Sequence, residues 1–148
     1  MKDLEFLKEG LLNVRTIEKR PEADIPVTSA DVIGFREGIR KKNIRIVDDT
    51  DGTPAGFIYY RTDFKVPYVS GDHLWIDLIY VKEGERGKGI GSALYRDAVE
   101  YARNSGLDRI VIDIFEPNSG SKQFHAGLDF EPFYTILIKK IDDGSDRP

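Results

Sequence analysis

Apolar residues recur at helical spacing at the start of the chain, where they predict a short amphipathic helix over residues 2–12. Its apolar positions are Leu4, Leu7 and Leu11, with Phe6 beside them. Residues 13–19 are interpreted as a strand, and residues 22–28, which have two prolines nearby, as a loop. The first part of the chain is therefore expected to contain one helix and one strand.

A second helix and a hairpin are predicted next. Thr28 or Ser29 can cap a helix that ends near Lys42, because both side chains accept hydrogen bonds from free N–H groups. The apolar residues of this helix are Val32, Phe35 and Ile39. Two β-rich runs, residues 43–47 and 56–61, flank a turn that contains glycine, which predicts a β-hairpin.

A third strand, over residues 73–81, leads directly into a glycine-rich loop. From Ile90 apolar residues recur at helical spacing until Gly106, a typical helix stop. The elements predicted beyond it are a strand over residues 109–115, a short helix over 119–126 and a β-rich stretch over 130–141. The last residues, 142–148, are expected to be disordered.

Strands and helices alternate along the chain without a repeat or an internal linker. This order predicts one α/β domain over residues 1–148 with a mixed sheet. The last β-rich stretch is short for two strands, so it is interpreted as one strand with an exposed edge. Because exposed edges are usually covered, that edge is a possible contact with a second subunit, as in a homodimer.

The amino-acid composition limits which kinds of site and partner the chain can have. The chain has 148 residues, of which 40% are hydrophobic and 32% charged, as in ordinary globular domains. The absence of cysteine excludes disulfides and a cysteine nucleophile, and His73 and His125 show no metal-ligand spacing, so no metal is expected. The N-terminus is charged and no apolar run is long, so we expect a cytoplasmic protein without a membrane partner. The net charge is −4 and there is no basic stripe, so we expect no nucleic-acid partner.

The loop over residues 86–91 has the features of an anion site. Its glycines let the backbone approach an anion, and the free N–H groups and dipole of the following helix face it. Arg86 and Lys88 add positive charge, although a purely structural turn is the alternative. Two known phosphate loops do not match, since a Walker loop requires a lysine after Gly89 and a dinucleotide fingerprint requires a glycine at Ser92.

Arg86, Gly89 and Gly91 do match the signature R/Q-x-x-G-x-G/A, and on this motif the chain resembles the GNAT N-acetyltransferase superfamily. The strand before the loop, residues 74–81, looks like the central strand of that family. The resemblance covers roughly residues 43–140. It implies a GNAT-like fold, in which helices flank a mixed, mostly antiparallel sheet.

A second pattern of the family, N-x-x-A-x-x-x-Y-x-x-x-G-F, begins at Asn118 and stays in register to Phe130. Ser121 replaces its alanine, a harmless change, and His125 replaces its tyrosine. Asp129 replaces its glycine, which implies a different backbone conformation, with the turn taken over by Gly127 two residues earlier.

The resemblance implies acetyl-CoA as the acyl donor and an amine as the acceptor. Main-chain N–H groups of the loop would hold the CoA pyrophosphate, so the glycines would matter more than the charges. Pantetheine would lie in the wedge where the strand ending at Val81 splays from the strand ending at Phe115. The implied cofactor-binding residues are Ile79, Tyr80, Val81, Arg86, Gly87, Lys88, Gly89, Ile90, Gly91, Ser92 and Asn118.

Acyl transfer to an amine requires a base for the amine and a proton for the leaving thiolate. Asp77 is the candidate base, because it interrupts an apolar strand and must be paired, hydrated or raised in pKa there. Its alternative role is an ordinary bond to the backbone or to an arginine, and Asp113 is interpreted as structural. His125 is the candidate acid, since histidine can donate a proton near neutral pH; a partly exposed helix residue is the alternative.

Three functions fit these observations. The first is an N-acetyltransferase acting on a primary amine of a small molecule or protein. The second is a non-catalytic module that senses acyl-CoA, and the third is an α/β domain that binds another phosphate ligand. The acceptor pocket would include the loop over residues 21–31, where Glu22, Asp24 and Asp31 could attract a cationic amine or be solvated charges.

Overall fold

The computed structural model describes residues 2–20 and 25–141 of the chain. The elements are α1 Lys2–Ile17, α2 Ser29–Arg40, β1 Ile44–Asp48, β2 Pro54–Arg61, β3 Leu74–Val81, α3 Ile90–Asn104, β4 Ile110–Val111 and α4 Ser119–Ala126, with a 3₁₀ turn at Glu83–Glu85. The chain divides into two units, Met1–Asn118 and Ser119–Pro148. A single domain over the whole chain therefore stays a prediction.

The first unit is built on a four-stranded sheet in the order β1-β2-β3-β4. The β1–β2 and β2–β3 pairs are antiparallel, whereas β3 and β4 are parallel. The predicted hairpin is confirmed, and its turn is held by the Asp49 carboxylate, which accepts hydrogen bonds from the N–H groups of Asp51 and Thr53. The predicted α/β class with a mixed, mostly antiparallel sheet is confirmed.

Helices α1 and α2 cover one face of this sheet. Their buried residues Leu4, Phe6, Leu7 and Phe35 form one core cluster with Ile44, Phe57, Leu78 and Tyr80 of the strands. Gly10 lets α1 approach closely, because a Cβ there would collide with the ring of Phe57. Thr28 and Asp31 form a capping box that starts α2, which confirms the predicted cap.

Helix α3 packs on the opposite face, since successive strand residues point to opposite sides. Phe57 faces α1, and the preceding residue Gly56 faces Ile90, the first residue of α3: a Cβ on Gly56 would lie 2.9 Å from the Ile90 side chain and 3.0 Å from the Tyr80 carbonyl oxygen. This close approach fixes the start of α3 beside the end of β3.

The strand expected over residues 13–19 is wrong, because α1 continues to Ile17. Leu11 and Val14 pack against the core, so the apolar stripe of the helix extends through this segment. Thr16 donates its hydroxyl to the Leu12 carbonyl one turn earlier. Tertiary packing overrides the β-propensity of a valine, a threonine and an isoleucine.

The two strands expected late in the chain also differ from the structure. Only Ile110–Val111 of the predicted 109–115 is a strand, because β4 pairs with just two residues of β3. The described residues 130–141 contain no strand, because none of them pairs with a strand of the described chain. The predicted helix over 119–126 is confirmed as α4. The expected tail over 142–148 and loop residues 22–24 lie outside the described residues.

Candidate functional site

The glycine loop joins the end of β3 to the start of α3. Gly87 and Gly89 have φ angles of +79° and +83°, a left-handed conformation that glycine adopts without steric cost. A Cβ on either glycine would meet no atom within 4 Å. The backbone conformation, and not crowding by neighbours, therefore calls for glycine at these positions.

The N–H groups at the start of α3 lack protein partners. Within the described chain, no N–H from Gly87 to Ser92 donates to a backbone oxygen, and the first helical bond runs from Ala93 N–H to the Gly89 carbonyl at 3.0 Å. Gly89 supplies no capping side chain, and the first turn has no acidic residue. These donors and the positive end of the helix dipole are thus available to an anion.

The two basic side chains of the loop are used within it. Arg86 donates from Nε to the Val81 carbonyl oxygen at 3.0 Å, which ties the loop to the end of β3. Lys88 Nζ lies 3.1 Å from Glu85 Oε2 and is largely exposed. The anion-binding capacity of the loop therefore rests mainly on its backbone.

One side of β3 is open beside this loop. Strand β4 pairs only with Leu74 and Trp75, so the described part of the chain provides no strand partner on that side from Ile76 to Val81. The chain leaves the sheet after β4 and turns before Asn118, whose N–H donates to the Phe115 carbonyl at 2.9 Å. The early end of pairing leaves this edge of β3, the region of Ile79, Tyr80 and Val81, without a strand partner in the described chain.

Asp77 occupies a β-bulge. Tyr59 pairs with Leu78 and Tyr60 with Ile76, which leaves Asp77 as the extra residue of β3. A bulge interrupts the alternation of a strand and re-aims a side chain, and bulges are frequent beside active sites. This explains how a carboxylate stands in an apolar strand without pointing into the core.

The Asp77 carboxylate is paired with an arginine that a second carboxylate shares. Arg61 Nη1 donates to Asp77 Oδ2 at 3.2 Å, and its Nε and Nη2 donate to Asp63 at 2.9 and 3.2 Å. Burial raises the pKa of the Asp77 carboxyl, and the Arg61 guanidinium opposes that increase. The side chain still exposes 39% of its surface, so a base here is reachable from solvent.

Two more charged side chains, Glu37 and Lys41, lie near Arg61 and Asp63. A cleft between α2 and the β1–β2 hairpin has Arg61, Asp63, Glu37 and Lys41 in its wall. Asp113 is exposed and follows β4 instead of lying in a strand. Partial loss of hydration around its carboxyl raises the pKa of Asp113.

His125 is buried in the second unit, not partly exposed as the alternative to an acid role assumed. Its ring is 2% exposed, and Nδ1 lies 2.7 Å from the Ser121 carbonyl oxygen. Edges of Phe124 and Phe130 pack around it at 5.2 Å between ring centroids. Burial lowers the pKa of His125, which favours the neutral imidazole with Nδ1–H donating to Ser121.

The backbone at Asp129 corrects a sequence expectation. Asp129 has a φ of +67°, the left-handed conformation that the family's glycine would adopt, and Gly127 is not among the positive-φ glycines. The expected shift of the turn to Gly127 is therefore wrong. Asp and Asn tolerate this conformation better than most side chains, so the turn is kept despite the substitution.

Sequence reasoning missed Arg61, Asp63 and Gly56. The bond from Arg61 to Asp77 joins neighbouring strands, so only the register of β2 on β3 brings these residues together. Gly56 left a signal that was not used, because a glycine inside a strand often marks a close backbone approach.

The described residues contain no group of three His, Asp or Glu side chains suited to a metal ion. Among them no helix is both long and apolar enough to cross a bilayer. Both findings concern only the described part of the chain.

Comparison with known sequences gives a family match. The model of the Acetyltransferase (GNAT) family matches residues 12–130. An uncharacterized N-acetyltransferase of Methanocaldococcus jannaschii is 31% identical over 100 residues, which cover 64% of this chain and 44% of that protein. The matched region spans 44%, 58% and 31% of the length of three curated relatives.

Solved structures show the same fold. A mutant of the BH1408 protein from Bacillus halodurans has a TM-score of 0.75 at 17% identity, with 94% of each chain covered. The enzyme AAC(6')-Iy, solved in complex with the bisubstrate analog CoA-S-monomethyl-acetylneamine, has a TM-score of 0.64 at 19% identity, with 93% of each chain covered.

Proposed function

The chain belongs to the GNAT acetyltransferase family, and we propose that it transfers the acetyl group of acetyl-CoA to a primary amine. The observation that carries this proposal is the row of unpaired N–H groups from Gly87 to Ser92, which lies directly beside the open side of β3. A ligand with a pyrophosphate and a long extended arm fits both features at once. Acetyl-CoA has both parts.

CoA would bind mainly through the backbone. Its pyrophosphate would accept hydrogen bonds from the loop, and its pantetheine arm would lie along Ile79, Tyr80 and Val81, where pairing with β4 has ended. Asn118 stands in the turn after β4 and would contact the same arm. The CoA analog bound to AAC(6')-Iy, which has the same fold, supports this assignment.

Asp77 would act as the base. The amine nitrogen attacks the thioester carbonyl carbon, its proton passes to Asp77 directly or through water, and the carbon–sulfur bond breaks to release CoA as a thiolate that then takes a proton. The raised pKa of Asp77 makes its carboxylate a better proton acceptor than a free aspartate. The shared Arg61 opposes that rise and favours the ionised, proton-accepting form.

One observation favours a second function, that of an acyl-CoA sensor without turnover. The family's tyrosine is replaced by His125, a buried imidazole whose Nδ1 lies against the Ser121 carbonyl. Its lowered pKa disfavours the protonated form that would donate a proton at neutral pH. An enzyme would then have to protonate its leaving thiolate by another route, such as water.

Turnover separates the two functions. The chain is mixed with acetyl-CoA and a panel of primary amines, and free thiol is followed over time. Amine-dependent thiol release supports the transferase; CoA binding without thiol release from any amine supports the sensor. We propose an amine of a small molecule or of a protein as the acceptor. We also propose that the reaction takes place in the cytoplasm and involves no metal, nucleic acid or membrane.

The CoA site has its own test. A side chain at Gly89 is incompatible with a φ of +83°, so Gly89→Val should reduce CoA affinity by at least about 10-fold in calorimetry. Lys88→Ala is the matched control, since Lys88 is paired with Glu85, and it should change affinity only slightly. Equal CoA affinity for Gly89→Val and wild type would remove the site assignment.

A further inference from the structure

Arg15, in the last turn of α1, carries buried N–H groups without a partner. Its side chain is 11% exposed, and Nε and Nη1 are buried with no hydrogen-bond partner in the described structure. Its one ionic contact is from Nη2 to Asp31 Oδ2 at 3.4 Å. That distance is longer than the usual 2.7–2.9 Å of a charge-assisted hydrogen bond.

Asp31 is a shared partner, because its Oδ2 also belongs to the cap of α2. Its Oδ2 accepts hydrogen bonds from the N–H and the hydroxyl of Thr28, at 2.9 and 3.0 Å, as part of the capping box. Burial acts to raise the pKa of Asp31, but hydrogen bonds from Thr28 and Arg15 outweigh it and lower the pKa. The carboxylate therefore stays ionised, and its Oδ2 is shared between the cap and Arg15, whose Nε and Nη1 it does not reach.

A buried guanidinium with unmade hydrogen bonds is costly, since each donor has lost water without replacement. Such a group in a folded protein calls for an explanation, and a ligand that completes its hydrogen bonds is one. The missing partner must accept hydrogen bonds and carry negative charge, which describes the oxygens of a carboxylate or another oxyanion.

The position of Arg15 connects it to the candidate base. The Arg20 N–H donates to the Arg15 carbonyl at 3.1 Å, so both arginines lie at the same end of α1. The Arg20 guanidinium lies 4.7 Å from the ring centroid of Phe115, just beyond β4. Its charge acts on both Asp77 and Asp113, so this end of α1 lies within electrostatic reach of the candidate base.

We propose that Arg15 binds an anionic group of the acceptor, so that the acceptor amine also carries a carboxylate, as an amino acid does. This inference rests on the proposed acetyl transfer. Arg15 holds the carboxylate and Asp77 receives the proton of the amine, so the two ends of one zwitterion meet opposite charges. The proposal narrows the acceptor from any primary amine to amines with an anionic oxygen group.

The kinetic test compares amino acids with their carboxamides, which keep the amine and lose the negative charge. Wild type should prefer the acid by roughly 10-fold or more in kcat/KM, the size expected for a hydrogen bond to a charged group. Arg15→Gln should abolish the preference by raising KM for the acid, while the carboxamide is unaffected. Arg36→Gln removes an exposed arginine of α2 and should keep the preference.

A merely structural Arg15 would lower activity on acid and carboxamide alike, and that result, or equal use of both by wild type, overturns the proposal. Arg15→Lys covers the case in which the glutamine variant does not fold, because it keeps the charge and loses the planar donors. It should retain only part of the preference for the acid.

A binding measurement separates this proposal from the transferase. Acetate at constant ionic strength should raise the thermal midpoint of wild type and of Arg36→Gln, but not of Arg15→Gln. Arg15-dependent protection without turnover of any amine would refute the transferase and leave the anion site standing. The proposal is overturned if acetate does not protect wild type. If Glu22→Gln/Asp24→Asn then costs as much stability as Arg15→Gln, and the two losses are not additive, those carboxylates are the partners of Arg15.

Discussion

At the scale of single residues, the candidate chemistry depends on how Arg61 divides its hydrogen bonds between two carboxylates. Its Nε and Nη2 bind Asp63, and only Nη1 reaches Asp77. Asp77 is therefore less fully neutralised than an aspartate with an arginine of its own. Because burial and the negative charge of Asp63 both raise the pKa of Asp77 and Arg61 opposes them, the neighbours set the basicity of the site.

Two substitutions should move the acidic limb of the kcat/KM profile in opposite directions. Arg61→Gln removes the positive charge, so the pKa of Asp77 rises further and the limb moves to higher pH. Asp63→Asn removes a negative charge and frees Arg61 for Asp77, so the limb moves to lower pH. Lys65→Gln, an exposed charge change in the following loop, should leave the profile in place. Shifts of both variants in one direction would exclude Asp77 as the titrating base.

His125 is tested by His125→Ala. If the imidazole donates a proton to the leaving thiolate, turnover should fall about 10²-fold or more with little change in CoA affinity. Gln123→Ala, at an exposed position of α4, is the matched control and should keep turnover. Wild-type turnover in His125→Ala would assign the buried ring a packing role between Phe124 and Phe130.

At the scale of elements, the start of α3 is held by a strand glycine. Gly56 of β2 faces Ile90 and the end of β3 closely enough that a Cβ has no room. The proposed anion site therefore depends on three elements: β3 leads into the loop, α3 supplies the donors, and β2 sets the distance between β3 and α3. If the contact between Gly56 and α3 were lost, the loop would keep its sequence but its geometry would change.

Gly56→Val should cost roughly 1–3 kcal/mol of unfolding free energy and lower CoA affinity, because α3 has to move outward. Gly34→Ala is the control, since a Cβ there meets open space on a helix and alanine favours helices. Urea unfolding and calorimetry measure the two effects. A stable Gly56→Val protein with unchanged CoA affinity would show that α3 does not need this contact.

At the scale of the whole molecule, the described residues after α4 carry an unusual exposed apolar run. Phe133 is 65% exposed, Ile136 71%, and Leu137 and Ile138 about nine-tenths. These side chains favour β-strands, and monomeric proteins rarely expose a large continuous apolar surface. The homodimer expected from the sequence, in which this stretch pairs with a second subunit, stays a prediction that would account for it.

Sedimentation tests the dimer. Wild type should sediment as a dimer at micromolar concentration, and Leu137→Lys/Ile138→Lys should shift it to the monomer by placing charges in the contact. Ile33→Lys changes another exposed apolar residue, on α2 and 67% exposed, and should keep the dimer. A wild-type protein that is monomeric at all concentrations would exclude this assembly.

The sequence by itself determined the parts of this protein that depend on neighbours along the chain. Helices α2, α3 and α4, the hairpin and the loop from Arg86 to Gly91 follow from local spacing, caps and glycines, and they lie where the pattern predicts. Local order also identified the loop as an anion site, because the donors belong to consecutive residues.

Only the tertiary structure decided what depends on distant partners. Residues 13–19 are helical because α1 packs on the sheet, and residues 112–115 and 130–141 are not strands because strands need a paired neighbour. The Arg61 bridge to Asp77 requires the register of β2 on β3, and the unfilled donors of Arg15 follow from the packing of α1 and α2. Pairing and burial are properties of the folded chain, so no local pattern carries them.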